Sequence, residues 1–312
     1  MPIRNIKYEI IGVFQVLNKY DGEFTDNDED LLLTIGSSAG IAIENNILLS
    51  IQQKMIKEQE KMFSSFIDTL AASIDARDKI TMGHSRRVCL FAKLIAENLG
   101  LSGLQIEVIT RAAMLHDIGK IGIRDSVLQK EGKLTDEEYE HIKKHVEITH
   151  DILSKISLSE GFQDVVDIAS THHEKYNGTG YYKKYSGEEI PLGGRILAVA
   201  DVFDAITSKR HYRDKMPIKN ALNIIVEGKN AHFDPKCVVA FMSSQCNRII
   251  RIFLTEYNDI NINEDDERIL GACTLENLYE FLSNENPTPE QSEFIELFNR
   301  YYILKVEKKL AD

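Results

Sequence analysis

Cysteine is scarce and unpatterned in this chain: four of its 312 residues, Cys89, Cys237, Cys246 and Cys273, are the whole supply. No two stand in a C-x-x-C spacing, so the sequence offers neither a zinc ribbon nor a disulfide framework, and a reducing, cytoplasmic setting is expected. No apolar run reaches the ~20 residues of a membrane helix. Met1 is not followed by the basic segment and apolar core of a signal peptide, so no membrane segment is expected within the chain. Positive charge is in deficit, with 37 Lys and Arg against 49 Asp and Glu, a formal net charge of −12 and a sequence pI of about 5.3. That balance argues against a nucleic-acid polymer as partner, and any anionic ligand has to meet local cations. Strand patterns are nearly missing after residue 20.

Apolar residues make up 43% of the chain, enough for one large or two medium domains. Tyr8 to Asn18 predicts a strand, and a helix starts at Thr25 or Asp26, whose side chain would accept the free amides of the first turn. Asp28, Glu29 and Asp30 suit the positive end of that helix. Apolar residues recur at helical spacing from Leu31 through Ile47. Leu48, Ile51, Met55, Met62 and Phe66 then keep a three-four spacing, interrupted by Glu58. This predicts a helix that pairs with its copy in a homodimer, or else an amphipathic helix lying on its own domain. Beyond Phe66 the pattern predicts helices at Leu90–Leu99, Ile106–Ile118, after the capping box Thr135-x-x-Glu138, and at Asp164–His172, Gly194–Lys209 and Ile218–Glu227. An acidic tail, Asn247 to Asp312, has helical stretches at Ile249–Thr255, Leu275–Leu282 and Pro289–Lys308, and no chemistry is read in it.

The chemistry is concentrated in doublets. His116 and Asp117 adjoin within Leu115-His116-Asp117-Ile118-Gly119-Lys120, and His172-His173 opens a run that continues to Tyr181. An imidazole offers a first-row metal a neutral nitrogen, and a carboxylate can bridge two cations. A single His-Asp pair is ordinarily a solvated helix residue or a capped turn. Here His84, His145 and Asp201 also fall in settings that suit ligands, so a multinuclear centre is expected. His141, one turn before His145, reads as a solvated helix face, as do His150, His211 and His232.

The order Gly83-His84-Ser85, His116-Asp117-Ile118-Gly119-Lys120, His145, His172-His173-Glu174, Gly178-x-Gly180-Tyr181 and Arg195-Ile-Leu-Ala-Val-Ala-Asp201-Val-Phe-Asp-Ala205 resembles the HD-GYP family of bacterial cyclic di-GMP phosphodiesterases. The resemblance runs from Phe66 to Ser244. It implies a mainly α fold, an HD-type helical bundle, with metal ligands at His84, His116, Asp117, His145, His172, His173 and Asp201 and with Asp117 as the bridge. Ile80 stands where members with a third metal carry Glu, so a dinuclear site is expected. Five imidazoles and two carboxylates without a thiolate suit iron or manganese.

The same resemblance implies hydrolysis of c-di-GMP to linear pGpG by a metal-bridging hydroxide, with the step on to GMP left open. Asp117 and Lys120 are the catalytic residues it implies, Lys120 orienting phosphate or protonating the leaving oxygen; the plain alternative is a solvated helix-end lysine. Arg210 and Arg213 would meet substrate phosphate, Gly178 and Gly180 would allow a tight loop in which Tyr181 faces a guanine base, and Asp75 would hold a ligand imidazole.

Before this region, Gly12 to Lys19 with Phe24 to Leu48 resembles the closing strand and terminal helix of a GAF sensory domain. The expected organisation is a partial GAF-like segment (1–48), a signalling and dimerisation helix (49–65), the phosphodiesterase domain (66–244) and a helical C-terminal extension (245–312). One departure stands out: Tyr182 replaces the proline of the Gly-Tyr-Pro signature, so the loop loses a fixed φ and gains an amide donor and a ring. That leaves open a slower enzyme, one acting on another cyclic dinucleotide, or a receptor that binds c-di-GMP without turnover. A nucleotidase for monomeric nucleotides is a third reading, opposed by Gly178, Gly180, Tyr181, Arg210 and Arg213.

Overall fold

The computed structural model describes residues 1–77, 83–208, 215–255, 257 and 260–303. The chain divides into two compact units, Met1–Phe66 and Ile67–Asp312. In the first, β1 (Pro2–Arg4) pairs antiparallel with β2 (Ile10–Val13). The expected strand from Tyr8 to Asn18 is thus cut to the four residues that pair with β1, and Tyr8 and Asn18 themselves take left-handed backbone angles, φ 64° and 59°.

Helix α1 covers Asp26–Arg77 and spans the division between the units. Its start reverses the expected cap: Asp28 reaches back to accept from the Thr25 N–H (2.7 Å) and hydroxyl (2.8 Å), and Lys19 pairs with the same carboxylate. Leu48, Ile51, Met55, Met62 and Phe66 are all more than half exposed. The helix also contains an 18-residue window of mean hydropathy 1.3, long and apolar enough to cross a membrane by length and composition alone. The expectation that no stretch approaches that size was therefore too strong. Its apolar part, Leu31 to Leu48, carries the consecutive polar residues Glu44, Asn45 and Asn46.

In the second unit the last turns of α1 bury Ile67, Ala71 and Ile74. They are followed by α2 (His84–Asn98), α3 (Gly103–Leu115), a 3-10 turn (Ile118–Gly122), α4 (Asp125–Leu128), α5 (Asp136–Leu153), α6 (Asp164–Ala169) and α7 (Leu192–Thr207). Then come α8 (Ile218–Glu227), α9 (Pro235–Met242), α10 (Cys246–Leu254), α11 (Glu264–Gly271), α12 (Leu275–Ser283) and α13 (Pro289–Tyr302). The fold is mainly α, as expected. Thr135 and Glu138 form the anticipated capping box, each side chain bonding the other's backbone N–H (3.2 and 2.8 Å). Two expected helices are shorter: α3 stops at Leu115, and α6 stops at Ala169 rather than His172. His116-Asp117 and His172-His173 thus lie just past the last residues of the two helices. The short α9 and α11, opened by the caps Asp234 and Asn263, were not read from the sequence.

A line of aromatic rings runs through the core. Phe91 of α2 meets Phe203 of α7 at 5.2 Å and Phe253 of α10 at 5.7 Å, while Phe203 meets Phe241 of α9 at 4.7 Å and Phe253 meets Tyr302 of α13 at 5.2 Å. The helices after Ser244 therefore bury their apolar faces in the same cluster as α2 and α7. Phe298, fully buried in α13, tests this sharing. Phe298→Ala should cost about 3–5 kcal/mol of stability. Urea unfolding followed by circular dichroism should still show one transition for the unit, shifted to lower denaturant; a separate early transition would mean that the C-terminal helices unfold by themselves.

Candidate metal centre

The helix ends aim the imidazoles. His84 opens α2 directly after Gly83, His116 and Asp117 follow the end of α3, His145 lies within α5, His172 and His173 occupy the turn after α6, and Asp201 is on α7. Three of the rings are fixed in one way: the Nδ1–H of His116, His145 and His172 donates to the carbonyl three residues earlier, of Ala113 (2.6 Å), Ile142 (2.7 Å) and Ala169 (2.7 Å). His84 Nδ1–H donates instead to Asp204 Oδ2 at 2.7 Å. With Nδ1 donating outward, Nε2 is the nitrogen that each of the four rings turns inward.

Those nitrogens face one another. His145 Nε2 and His172 Nε2 are 3.5 Å apart, and His116 Nε2 is buried without a hydrogen bond. Asp117 divides its carboxylate, Oδ1 lying 3.4 Å from His145 Nε2 and Oδ2 lying 3.3 Å from His116 Nε2. Asp201 Oδ1 is 3.3 Å from His84 Nε2. Three donor groups result, His145 with His172 and His173, His84 with His116 and Asp201, and His116 with Asp117 and His172, the donor atoms in each lying within 4.8 Å of one another. Lone pairs converging in a buried site repel unless something positive lies among them, so this donor set fits a metal centre.

Protonation divides the rings: burial lowers His116, but Asp117 and Asp201 outweigh it and raise that imidazole. Burial pulls His145, His172 and His173 down, His173 to about 3, and keeps them as neutral ligands. Burial would raise Asp117 and Asp201, but Lys120 with His116 outweighs it at Asp117 and His84 outweighs it at Asp201, so both stay ionised. Burial lowers His84 too, yet Asp201 and Asp204 overcome it and lift the imidazole to about 10. A proton on His84 thereby supplies positive charge that a cation would take over.

The structure brings all seven expected ligands together and corrects one supporting role. Asp75 holds no imidazole; it accepts from the Ser85 N–H (3.2 Å) and hydroxyl (2.7 Å) and so anchors the first turn of α2. Asp204 does the holding, and it was missed. Its carboxylate binds His84 and the buried Arg87 guanidinium (2.6 and 2.9 Å), while Arg87 also donates to Ser208. The available signal was its place one helical turn after Asp201.

Lys120 is drawn in, its Nζ donating to Asp117 Oδ2 at 2.8 Å. The turn bearing it is tied to α1 by Arg77, which donates to the carbonyls of Lys120 (2.7 Å) and Ile123 (2.6 Å).

Beside the centre, Gly178 takes φ +78°, and a Cβ on Gly180 would fall 2.4 Å from Lys175 N, so the loop needs both glycines. It delivers Tyr181, whose ring centroid is 5.0 Å from that of His173. Glu174, also missed, anchors the far side of this loop: Oε1 accepts from the amides of Lys183 (2.7 Å) and Lys184 (3.0 Å). His141 accepts from the Arg124 amide and His232 stacks on Phe233, both outside the donor groups. Arg210, Arg213, His211 and Ile80 lie outside the described residues.

The family model described as HD domain matches residues 68–237. The chain belongs to the HD domain family. Among curated relatives of this HD domain chain, a 3'3'-cGAMP-specific phosphodiesterase 2 of Vibrio cholerae is 36% identical over 70% of the chain and 40% of the relative. The cyclic di-GMP phosphodiesterase response regulator RpfG of Xanthomonas campestris is 41% identical over 65% of the chain and 52% of the relative. A cyclic di-GMP phosphodiesterase of Thermotoga maritima is 37% identical over 72% and 61%. The chain thus spans 40 to 61% of the length of these relatives. The likeness to HD-GYP phosphodiesterases seen in the motifs is borne out by them.

Asp204 offers a direct check on the geometry of the HD domain site. Asp204→Ala leaves the Arg87 guanidinium and the His84 ring buried without their partner, and should cost about 3–5 kcal/mol of stability. It should also weaken metal binding roughly 10- to 100-fold through the loosened His84. Thermal unfolding and metal titration of the variant measure the two effects, and unchanged metal affinity would show that His84 is held by other means.

Proposed function

We propose that this chain hydrolyses the cyclic dinucleotide c-di-GMP to linear pGpG at a dinuclear centre of iron or manganese. The observation that carries the reading is the division of the Asp117 carboxylate between the His145 side and the His116 side, with Lys120 2.8 Å from the same group. His84, His116, Asp201 and Asp117 would hold one cation, and Asp117, His145, His172 and His173 the other. When bound, two such cations supply a Lewis acid for a phosphate oxygen and lower the pKa of water toward neutrality.

The residues of the chain do the rest. Lys120, fixed beside Asp117, is placed to orient the phosphate and to give a proton to the leaving ribose oxygen. Tyr181, packed on His173, offers a ring and a hydroxyl to a base next to the reacting phosphate. Arg210 and Arg213 are retained as the cations for substrate phosphate.

Relatives of similar identity are named for c-di-GMP and for 3'3'-cGAMP, so a phosphodiesterase for another cyclic dinucleotide is the second reading. Tyr182 in place of the signature proline favours a third, a receptor with little turnover. For the remainder of the chain we propose a partial GAF-like segment at 1–48, a homodimer paired through the exposed apolar seam of α1 at 49–65, the phosphodiesterase domain at 66–244 and a C-terminal extension at 245–312. Cysteines that are all free among the described residues suit a cytoplasmic setting.

Anaerobic turnover of c-di-GMP by the chain loaded with ferrous iron or manganese, with products separated by chromatography, tests the proposal. Release of pGpG supports it; tight binding without product favours the receptor. Asp117→Ala should release metal and abolish hydrolysis, and a variant keeping full metal content and activity would overturn the ligand assignment. Lys120→Ala should retain metal while turnover falls roughly 100-fold; unchanged turnover would return Lys120 to a structural role.

A further inference from the structure

Lys143 is on α5, two residues before the ligand His145, and its surroundings are unusual for a surface lysine. Its Nζ is 4.7 Å from the ring centroid of Tyr139 and 5.5 Å from that of Tyr181. The side chain is only 26% exposed. A lysine on a helix surface ordinarily keeps its stem mobile in water, since ordering it costs rotamer entropy. Here two aromatic rings frame the ammonium. One of them, Tyr181, also packs on His173, so Lys143 is connected to the metal ligands through a single ring. Glu140 completes the group, its Oε1 accepting from Lys143 Nζ at 2.5 Å while the carboxylate stays 66% exposed.

We infer that Lys143 and Glu140, framed by Tyr139 and Tyr181, form a specificity site that selects guanine over adenine for the base adjoining Tyr181. This rests on the reading of the chain as a cyclic-dinucleotide phosphodiesterase. Two features point to a base and not to a phosphate. The Tyr139 and Tyr181 rings beside the ammonium offer flat faces on which a planar group can stack. A carboxylate in contact with the ammonium repels a phosphate, yet it accepts well from the ring N–H and exocyclic NH2 of guanine. The ammonium, a donor only, complements O6 and N7, both acceptors; adenine presents an amino donor where guanine has O6, and so meets the ammonium with like polarity.

The test uses the full metal-loaded chain, the variants Lys143→Met and Lys143→Arg, and three probes: c-di-GMP, its all-adenine counterpart c-di-AMP, and 3'3'-cGAMP. Lys143→Met should lower kcat/KM for c-di-GMP roughly 10- to 100-fold, the loss of a charge-assisted hydrogen bond. It should affect c-di-AMP far less, and Lys143→Arg should recover most of the c-di-GMP activity. With 3'3'-cGAMP, which has one base of each kind, the wild type should open one of the two phosphodiester bonds in preference, and Lys143→Met should erase that bias. An equal loss on all three probes would mean a phosphate contact and would overturn base selection. Unchanged kinetics would return Lys143 to a solvated helix lysine. If the wild type binds c-di-GMP without hydrolysing it, the phosphodiesterase reading fails by itself, and the same comparison made on dissociation constants decides Lys143. A wild type that neither binds nor hydrolyses c-di-GMP overturns both.

Discussion

The site depends on how its imidazoles are tethered. His116, His145 and His172 each donate Nδ1–H to the carbonyl three residues before them, and that one repeated bond turns each Nε2 lone pair toward a common point. The backbone supplies the anchor, so ring direction is set by the local helical turn and by where the turn lies in the bundle. Buried lone pairs so placed are costly for the protein alone. His116 Nε2 without a hydrogen bond, and the His145 and His172 nitrogens 3.5 Å apart, are tolerable in a fold that binds cations there.

Around this convergence the charges balance in layers. Asp117 and the partly buried Asp201 face the imidazoles, Asp204 lies behind His84, and Arg87 lies behind Asp204, with His84, Asp204 and Arg87 buried and each paired with the next. Removing a member strands its neighbour in a low-dielectric interior, which couples metal binding to the stability of α2 and α7. Lys120 and Arg77 extend the chain of contacts from Asp117 to the last turn of α1, so the helix entering the unit is bonded to the turn that carries the proposed proton donor.

The bundle gives these contacts a rigid support. Phe91, Phe203, Phe241, Phe253 and Tyr302 join α2, α7, α9, α10 and α13 edge to face, and the helices beyond Ser244 share that core instead of hanging from it. A segment in which the sequence offered no chemistry therefore contributes to holding α2 and α7, the two helices that carry His84 and Asp201, in register.

Much was legible in the sequence. The candidate donors and the loop beside them depend on residue type and order, which the chain displays in its doublets and in Gly178-x-Gly180-Tyr181, and helix starts such as Thr135-x-x-Glu138 depend on neighbours three residues apart. What local pattern could not tell was which acid supports which ligand. Asp75 and Asp204 are equally reasonable partners for His84 on paper, separated from it by 9 and 120 residues, and only packing α7 against α2 puts Asp204 at 2.7 Å and turns Asp75 to Ser85. The ends of α3 and α6 escaped as well: apolar periodicity continues through His116 and His172, while the backbone leaves helical angles at Asp117 (φ −98°, ψ 7°) and Ser170 (φ −90°, ψ 7°). Sequence by itself determined the residues and the helical class, because those depend on composition and short-range spacing. Tertiary structure decided their directions and partners, because a side chain's aim is set by elements far apart in the chain and packed against one another.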